Sequence, residues 1–461
     1  MLFTTGWLTT LFSDHQGGPS PNSPSDGIAI DDVVTDSRKD MHHSLFVPLS
    51  GAHFDGHDYV KEALRHGAVA TLWEKGKPLP DDVPADFPVF FVEDTLTALQ
   101  QLASAYRQKI DPLVIGVTGS NGKTTTKDLI AAVTSETYRT HATQGNWNNH
   151  IGLPLTILSM PAQTDVLVVE MGMNHSGEIE TLTGIAKPDY GVITNIGESH
   201  IAQLGSREAI AAAKMEIIRG MPGDGYLIID GDEPLLQKTT WHGPTILCGF
   251  HSSNDTVIQN VTLTNQHTEF QLNHETDVYS IPLPGSHHAL NATFAVTVAR
   301  RLKIPDHTIK TALGTLEWTS MRFEFLDGMN GSAIINDAYN ASPTSMKAAI
   351  DVVKQMEGFN RKVLVLGDMF ELGKDAINLH QSAASGIDES IDAVFTFGEQ
   401  ATSITEAVRE RTDKIDNRHF TSGETLLQAI DSYMAQGTLI LFKASRGMQF
   451  ESYIEQIAES T

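Results

Sequence analysis

Pro-Leu-Val-Ile-Gly-Val-Thr-Gly-Ser-Asn-Gly-Lys-Thr-Thr-Thr-Lys, residues 112–127, is the stretch from which the rest of the chain is read. Leu113 to Val117 is a short apolar run with the composition of a buried parallel strand. Gly116, Gly119 and Gly122 allow a tight turn with bare backbone amides. Lys123 and Thr124 then open a segment whose apolar residues Leu129, Ile130 and Val133 have helical spacing. A strand, a glycine-rich turn and a helix start make a phosphate cradle. Loop N–H groups and the positive helix end face the anion, Lys123 adds charge, and Thr124 can hold Mg²⁺. The glycine spacing departs from the usual loop, because Val117 takes the outer glycine position and Gly116 comes one residue early. The stretch predicts nucleoside triphosphate binding.

Outward from this stretch, 461 residues predict two or three domains with ample core. A hydrophobic fraction of 40% is that of an ordinary globular chain. The net charge of −25, from 57 acidic and 32 basic residues, argues against sequence-independent nucleic-acid binding, which needs basic surface. An anionic substrate then needs locally placed Lys and Arg. A single cysteine, Cys248, excludes an intrachain disulfide and fits a reducing compartment. Met1 to Gln16 lacks a basic start and a long apolar core, so no signal peptide is expected; Trp7, Leu8, Leu11 and Phe12 have helical spacing instead. No window offers about 18 uninterrupted apolar residues, so no membrane insertion is expected and the location is expected to be cytoplasmic.

The pattern predicts an α/β protein of three domains, over residues 1–93, 94–316 and 317–461. The first is a small α/β domain with polar loops at Asp36-Ser37-Arg38 and Gly51-Ala-His-Phe-Asp55-Gly56-His57. The second is a parallel sheet with added antiparallel strands from Thr256 to Leu283. Val166 to Val169 reads as a strand ending at Glu170, and Val192 to Thr194 as one ending at Asn195 ahead of His200. In an open parallel sheet such ends share one ligand-binding edge, where a carboxylate beside the Thr124 hydroxyl suits Mg²⁺. Tyr226 to Asp230 supplies a rival acidic strand end. A helix is predicted over Ser206 to Met221, and at 100° per residue Lys214 falls in the middle of its apolar stripe. Such a lysine snorkels, pairs with a carboxylate or is chemically altered. The third domain repeats strand then loop at Ala333–Asn336, Val363–Leu366, Ala393–Phe397 and Leu439–Phe442, a second doubly wound unit.

Thr118-Gly-Ser-Asn-Gly-Lys-Thr-Thr125 resembles the phosphate loop of the Mur ligase family, ATP-dependent amide-bond ligases of cell-wall synthesis. The resemblance extends through all three domains. It implies that Gly119, Ser120, Asn121, Gly122, Lys123, Thr124 and Thr125 bind ATP, and that Thr124, Glu170 in its Glu-x-Gly and His200 hold Mg²⁺. Lys214-x-Glu216-Ile217 matches a family lysine carbamylated by CO₂, whose carboxylate binds a second Mg²⁺. Gly285-Ser-His-His288-Ala-Leu-Asn291-Ala implies Asn291 against adenine, although His288 replaces the family's first Asn. Arg322 is implied at the γ-phosphate, so domain closure would complete the site. Asp337 and Asn340 lie in Asp-Ala-Tyr-Asn-Ala-Ser-Pro, with Asp337 at the ribose and Ser342 replacing an Asn. Lys123, His200, Lys214 and Arg322 are thereby expected to carry catalysis.

On the acceptor side, Ser37, Arg38, Gly51, Asp55, Gly56 and His57 are implied to line a UDP site, despite Pro48 where relatives carry Ala. Asn148 and Asn149, in Gly-Asn-Trp-Asn-Asn-His-Ile-Gly, belong to an implied substrate-side loop. Val-Leu-Gly-Asp-Met-Phe-Glu-Leu-Gly at 365–373, with His380 beyond, resembles the family member that joins D-alanyl-D-alanine to UDP-N-acetylmuramoyl-tripeptide. The Asp-Asn-Pro-Arg signature of the diaminopimelate-adding sibling is absent. The implied route runs through an acyl phosphate, in an enzyme expected to be a monomer. A folate-type relative using glutamate would not need residues 1–93. A nucleotide switch is disfavoured because no Asn-Lys-x-Asp occurs.

Overall fold

Leu113–Thr118 is an inner strand of a nine-stranded sheet, flanked by Val166–Glu170 on one side and Tyr190–Ile193 on the other, both parallel to it. Alternate residues serve opposite faces, which is why the run is apolar throughout. Val114, Leu167 and Val169 join one buried cluster, whereas Ile115, Val117, Val166 and Val168 join the other. The helices Lys123–Ser135 and Ser286–Arg301 cover the second face and Thr95–Ile110 the first. Because the chain leaves Leu113–Thr118 to both sides, its C-terminal end is a topological switch point. The computed structural model describes residues 1–16, 27–238, 241–316 and 321–459. The expected start of a third domain at 317 lies outside the described residues.

The same sheet continues through Tyr226–Asp230 and Thr245–Gly249 to Thr256–Leu263, still parallel, and then turns antiparallel through Thr268–Leu272 and Val278–Ile281. A six-stranded sheet follows in the order Glu324–Gly328, Ser332–Asn336, Thr438–Lys443, Arg361–Gly367, Ala393–Phe397 and Asp416–Phe420, parallel except at its first pair. Its two edge strands escape the sequence reading. Asp416–Phe420 is mostly polar and half-buried, with no apolar run to mark it. The N-terminal unit is a five-stranded sheet around Ala68–Glu74 and Val89–Val92, with the helix Thr5–Leu11 capped by the Thr4 hydroxyl, which accepts from Trp7 N at 3.3 Å. Among the described residues, no helix is long and apolar enough to cross a membrane.

The helix expected over Ser206–Met221 is shorter. Arg207–Met215 is α-helical and Glu216–Arg219 is a 3₁₀ turn. The tightened turn sets the Glu216 carboxylate over the start of helix Glu178–Ala186, where it accepts from Ser176 Oγ and Gly177 N, both at 2.8 Å, and from Glu180 N at 3.2 Å. A carboxylate at a helix N-terminus answers both orphan amides and the helix dipole.

The six-stranded unit docks on the nine-stranded one through polar contacts. Ser342 Oγ donates to Asn121 Oδ1 at 3.2 Å, Thr344 Oγ1 donates to Glu198 Oε2 at 2.8 Å, and Asn265 Nδ2 donates to the Glu357 carbonyl at 2.6 Å. Within the docked unit, Asp368 follows strand Arg361–Gly367 and is buried. It accepts from Glu399 N at 3.0 Å, Gln400 N at 2.9 Å and Ala401 N at 2.7 Å, ahead of helix Thr402–Arg411. Asp368→Ala removes the acceptor of three amides, the Ala401 one buried, and is expected to cost about 2 kcal/mol. A lowered urea midpoint for the far-UV signal checks this.

Candidate active site

Gly119 and Gly122 are glycines for local reasons. Gly119 has φ +150°, and a Cβ there would lie 1.8 Å from Thr194 Oγ1 on the neighbouring strand end. Gly122 has φ +77°, and its Cβ would lie 2.6 Å from Asn291 Oδ1. The loop is therefore wedged between the end of Tyr190–Ile193 and helix Ser286–Arg301. Asn195 holds it from beside, its carbonyl accepting from Ser120 N at 3.1 Å and its Oδ1 from Asn121 N at 3.0 Å. Lys123 Nζ folds back to donate to the Gly119 carbonyl at 2.8 Å. Burial lowers its pKa, as does Arg322, while Glu170 acts in the opposite sense.

Glu170 is buried and central to the polar wall. Its Oε2 accepts from Thr124 Oγ1 and its Oε1 from Asn148 Nδ2, both at 2.7 Å. Strand end, helix start and asparagine loop thus meet on one carboxylate. These residues border a cavity of 330 Å³ whose far wall belongs to the six-stranded unit. There Arg322 stacks over the Tyr339 ring at 4.2 Å. Asp337 Oδ2 accepts from Lys443 Nζ at 2.6 Å, and the Asn340 carbonyl accepts from the same amine at 3.2 Å. The cavity brings together Ser120 to Thr125, Asn148, Glu170, His200, Asn291, Arg322, Asp337 and Asn340. Gly119, Asn149 and Lys214 do not line it. Asn149 Oδ1 instead accepts from Ile151 N at 3.1 Å and Gly152 N at 2.8 Å, ordering the start of helix Gly152–Leu158.

His200, at φ +65°, places Nδ1 2.5 Å from Glu371 Oε2 of the opposite unit, a close contact out of line for a hydrogen bond. Burial lowers its pKa, countered by Glu371 and assisted by Lys123 and Lys214. Lys214 is 1% exposed, and no hydrogen bond or ion pair of its amine occurs among the described residues. Glu216, two residues on, is committed to the helix start described above. Desolvation, aided by the nearby Lys123 charge, holds the Lys214 pKa well below the ordinary lysine value.

The residues expected at a UDP site lie away from this cavity, in the N-terminal unit. Asp55 Oδ1 meets His57 Nδ1 at 2.6 Å and Oδ2 accepts from Lys77 Nζ at 2.6 Å. Ser37 Oγ donates to Glu62 Oε2 at 2.7 Å, Arg38 pairs with Asp36 at 2.8 Å, and a Cβ on Gly56 would strike Leu49 N at 2.7 Å. Gly51 is exposed, and Gly51 N donates to the Phe54 carbonyl at 2.8 Å. Lys39 lies 5.7 Å from the Trp147 ring, which joins this unit to the asparagine loop. The sequence reading gave no site role to Lys77, His287, Tyr339 or Lys443, and marked Asn195 only as a strand end at the ligand-binding edge. For Lys443 a signal existed, since it ends a buried strand at the same sheet edge as Asn336.

Ser120 Oγ, Asn121 Nδ2, Arg322 Nε and both His288 ring nitrogens are buried without partners, as polar groups are where a polar ligand completes them. Among the described residues, no group of three or more His, Cys, Asp or Glu is arranged to hold a metal. The Thr124 hydroxyl and the Glu170 carboxylate fit Mg²⁺, which takes oxygen donors, keeps waters and binds phosphate oxygens, and the His200 imidazole lines the same cavity as a further donor.

A phosphate loop at a switch point, facing a second α/β unit across a polar cleft, defines a nucleotide-dependent enzyme whose site is completed by two units. The chain belongs to the Mur ligase family. The Mur ligase middle domain matches residues 117–299, the Mur ligase glutamate ligase domain residues 321–446, and the Mur ligase family catalytic domain residues 29–107. The UDP-N-acetylmuramoyl-tripeptide–D-alanyl-D-alanine ligase of Bacillus subtilis is 47% identical over 444 residues, covering 96% of each chain. The crystal structure of MurF from Acinetobacter baumannii matches with a TM-score of 0.86 at 29% identity over 98% of both chains. MurF ligase from Thermotoga maritima in complex with ADP gives 0.80 at 29% identity, over 92% of this chain and 96% of that one.

Asp230, the rival acid, does not line the cavity. It accepts from Asp232 N at 2.9 Å, and burial raises its pKa from 3.8 to about 7. The unfolded chain therefore loses this proton at lower pH than the folded one. Stability should fall as pH rises from about 4 to about 7, with the full penalty above that window. Asp230→Asn is expected to flatten this slope and raise the melting temperature at alkaline pH, as differential scanning calorimetry across that range can show.

Proposed function

We propose that this protein joins D-alanyl-D-alanine to UDP-N-acetylmuramoyl-tripeptide, converting ATP to ADP and phosphate. The observation that carries the chemistry is the single cavity with the phosphate loop on one wall and Arg322 and Asp337 on the other. In this reading residues 1–93 bind the UDP end of the substrate, through Ser37, Arg38, Gly51, Asp55, Gly56 and His57. Residues 94–316 bind ATP, with Asn148 and Asn149 toward the peptide, and residues 317–461 close over it. ATP and a UDP-linked substrate fit a cytoplasmic location.

A free carboxylate is a poor acyl donor, so the terminal carboxylate oxygen of the tripeptide first bonds to the γ-phosphorus as ADP leaves. The dipeptide amine then attacks the acyl carbon, phosphate departs, and the amine loses a proton. The loop amides of Gly122 and Lys123, the Lys123 ammonium and the Arg322 guanidinium stabilise charge on the transferring phosphoryl oxygens. Asn291, already against Gly122, is the adenine contact, and Asp337 the ribose contact, held in place by Lys443. Closure of the two units excludes water from the acyl phosphate. Thr124, Glu170 and His200 would hold Mg²⁺, which neutralises phosphate charge when bound.

Lys214 fits a modified residue in this reading. Its burial and unpaired amine support a neutral form, and a neutral amine adds to CO₂ to give a carbamate and a proton. The resulting carboxylate would serve a second Mg²⁺. Arg cannot form it, so Lys214→Arg is expected to lose activity, and wild-type activity to fall when CO₂ and bicarbonate are stripped and return with them. Full activity of Lys214→Arg in CO₂-free buffer would refute the carbamate. For the reaction itself, phosphate release should require ATP, Mg²⁺, the UDP-linked tripeptide and D-alanyl-D-alanine together. A coupled phosphate assay showing vigorous hydrolysis with ATP alone would overturn the ligase reading.

A further inference from the structure

The run Gly367-Asp-Met-Phe-Glu-Leu-Gly373 has no part in the chemistry above, yet it reaches the site from the opposite unit. Its first residues are locked internally. Asp368 accepts the three amides already described, Met369 N donates to His380 Nε2 at 2.8 Å, and Phe370 N donates to Ser445 Oγ at 2.9 Å. Glu371 then turns outward at φ +63°. Its carbonyl accepts from Ala202 N at 3.0 Å, and a Cβ on Gly373 would lie 3.1 Å from Ala202 Cα. Ile201 packs against the apolar core of the six-stranded unit. The segment His200–Leu204 is therefore clasped by this run, with Glu371 Oε2 2.5 Å from His200 Nδ1.

We propose that Glu371 is a positioning residue that holds the His200 imidazole with Nδ1 protonated toward Glu371 and Nε2 left for the site, and does so only while the two units are docked. This rests on His200 acting as a site ligand in the function proposed above. A histidine that ligates through one nitrogen commonly gives its other N–H to a carboxylate, which fixes tautomer and ring orientation. Here imidazole and carboxylate belong to different units, so docking itself sets the ring. The contact is close but not aligned as a hydrogen bond, and such contacts tighten when a site fills.

The test uses full-length wild type, Glu371→Gln and Glu371→Ala. With ring-¹⁵N histidine and no metal present, the His200 signal, identified by its loss in His200→Gln, should report the Nδ1–H tautomer in wild type. Glu371→Ala should shift it toward Nε2–H, and Glu371→Gln should do so in part. In turnover, kcat should fall and the apparent Mg²⁺ constant rise by about 10–100-fold, with KM for ATP little changed. An unchanged tautomer and Mg²⁺ constant in both variants would overturn the proposal, as would a lowered melting temperature as their sole change. An inactive wild type would instead count against the ligase reading, and the ring signal would still decide the role of Glu371.

Discussion

A buried carboxylate ties the central unit together. Glu170 sits at the end of a strand with almost no access to water, and an ionised group there is costly unless its oxygens are answered. Thr124 and Asn148 answer them, one from the helix that follows the phosphate loop and one from the asparagine loop. The position of each of these segments is thereby fixed relative to the sheet edge. The same edge receives the backbone of the loop through Asn195 and Thr194, so the cradle is held from two neighbouring strands at once.

The parallel core was legible because a strand buried on both faces must be apolar at every position. Leu113–Thr118, Val166–Glu170 and Tyr226–Asp230 all fall where apolar runs predict them. The edge strand Asp416–Phe420 was not, because a half-exposed edge imposes no such pattern. The break of the predicted helix at Glu216 was invisible for another reason, since it answers to the amides of Gly177 and Glu180 at a helix start 39 and 36 residues earlier in the chain. The site was legible in part. Residue types that cradle phosphate advertise themselves, whereas Lys443 and Lys77 matter through partners that the fold alone supplies. The resemblance to a family reached Asn291 and Arg322, which no local pattern marks.

The buried Lys214 shows where local consistency gives way. A lysine on an apolar stripe ordinarily finds a carboxylate, and Glu216 is two residues away, but its oxygens hold a helix start instead. The Lys214 charge acts on His200 and is itself acted on by Lys123, both of which line the cavity, and departures from local consistency tend to gather at such sites.

The docking surface between the two large units has a thermodynamic character of its own. Ser342 with Asn121, Thr344 with Glu198 and Asn265 with Glu357 are exchanges that water can replace, and Ile201 is the apolar residue among the contacts named. The two cores meet at this surface, because Leu283 of the nine-stranded unit is buried in the core of the six-stranded one and Ile201 packs against the cores of both. Parting the units uncovers those two side chains along with the polar pairs, and polar exposure opposes apolar exposure in the heat-capacity change. The enthalpy of parting is then set mainly by the exchanged hydrogen bonds, and that enthalpy, not the heat-capacity change, fixes how far temperature shifts the balance.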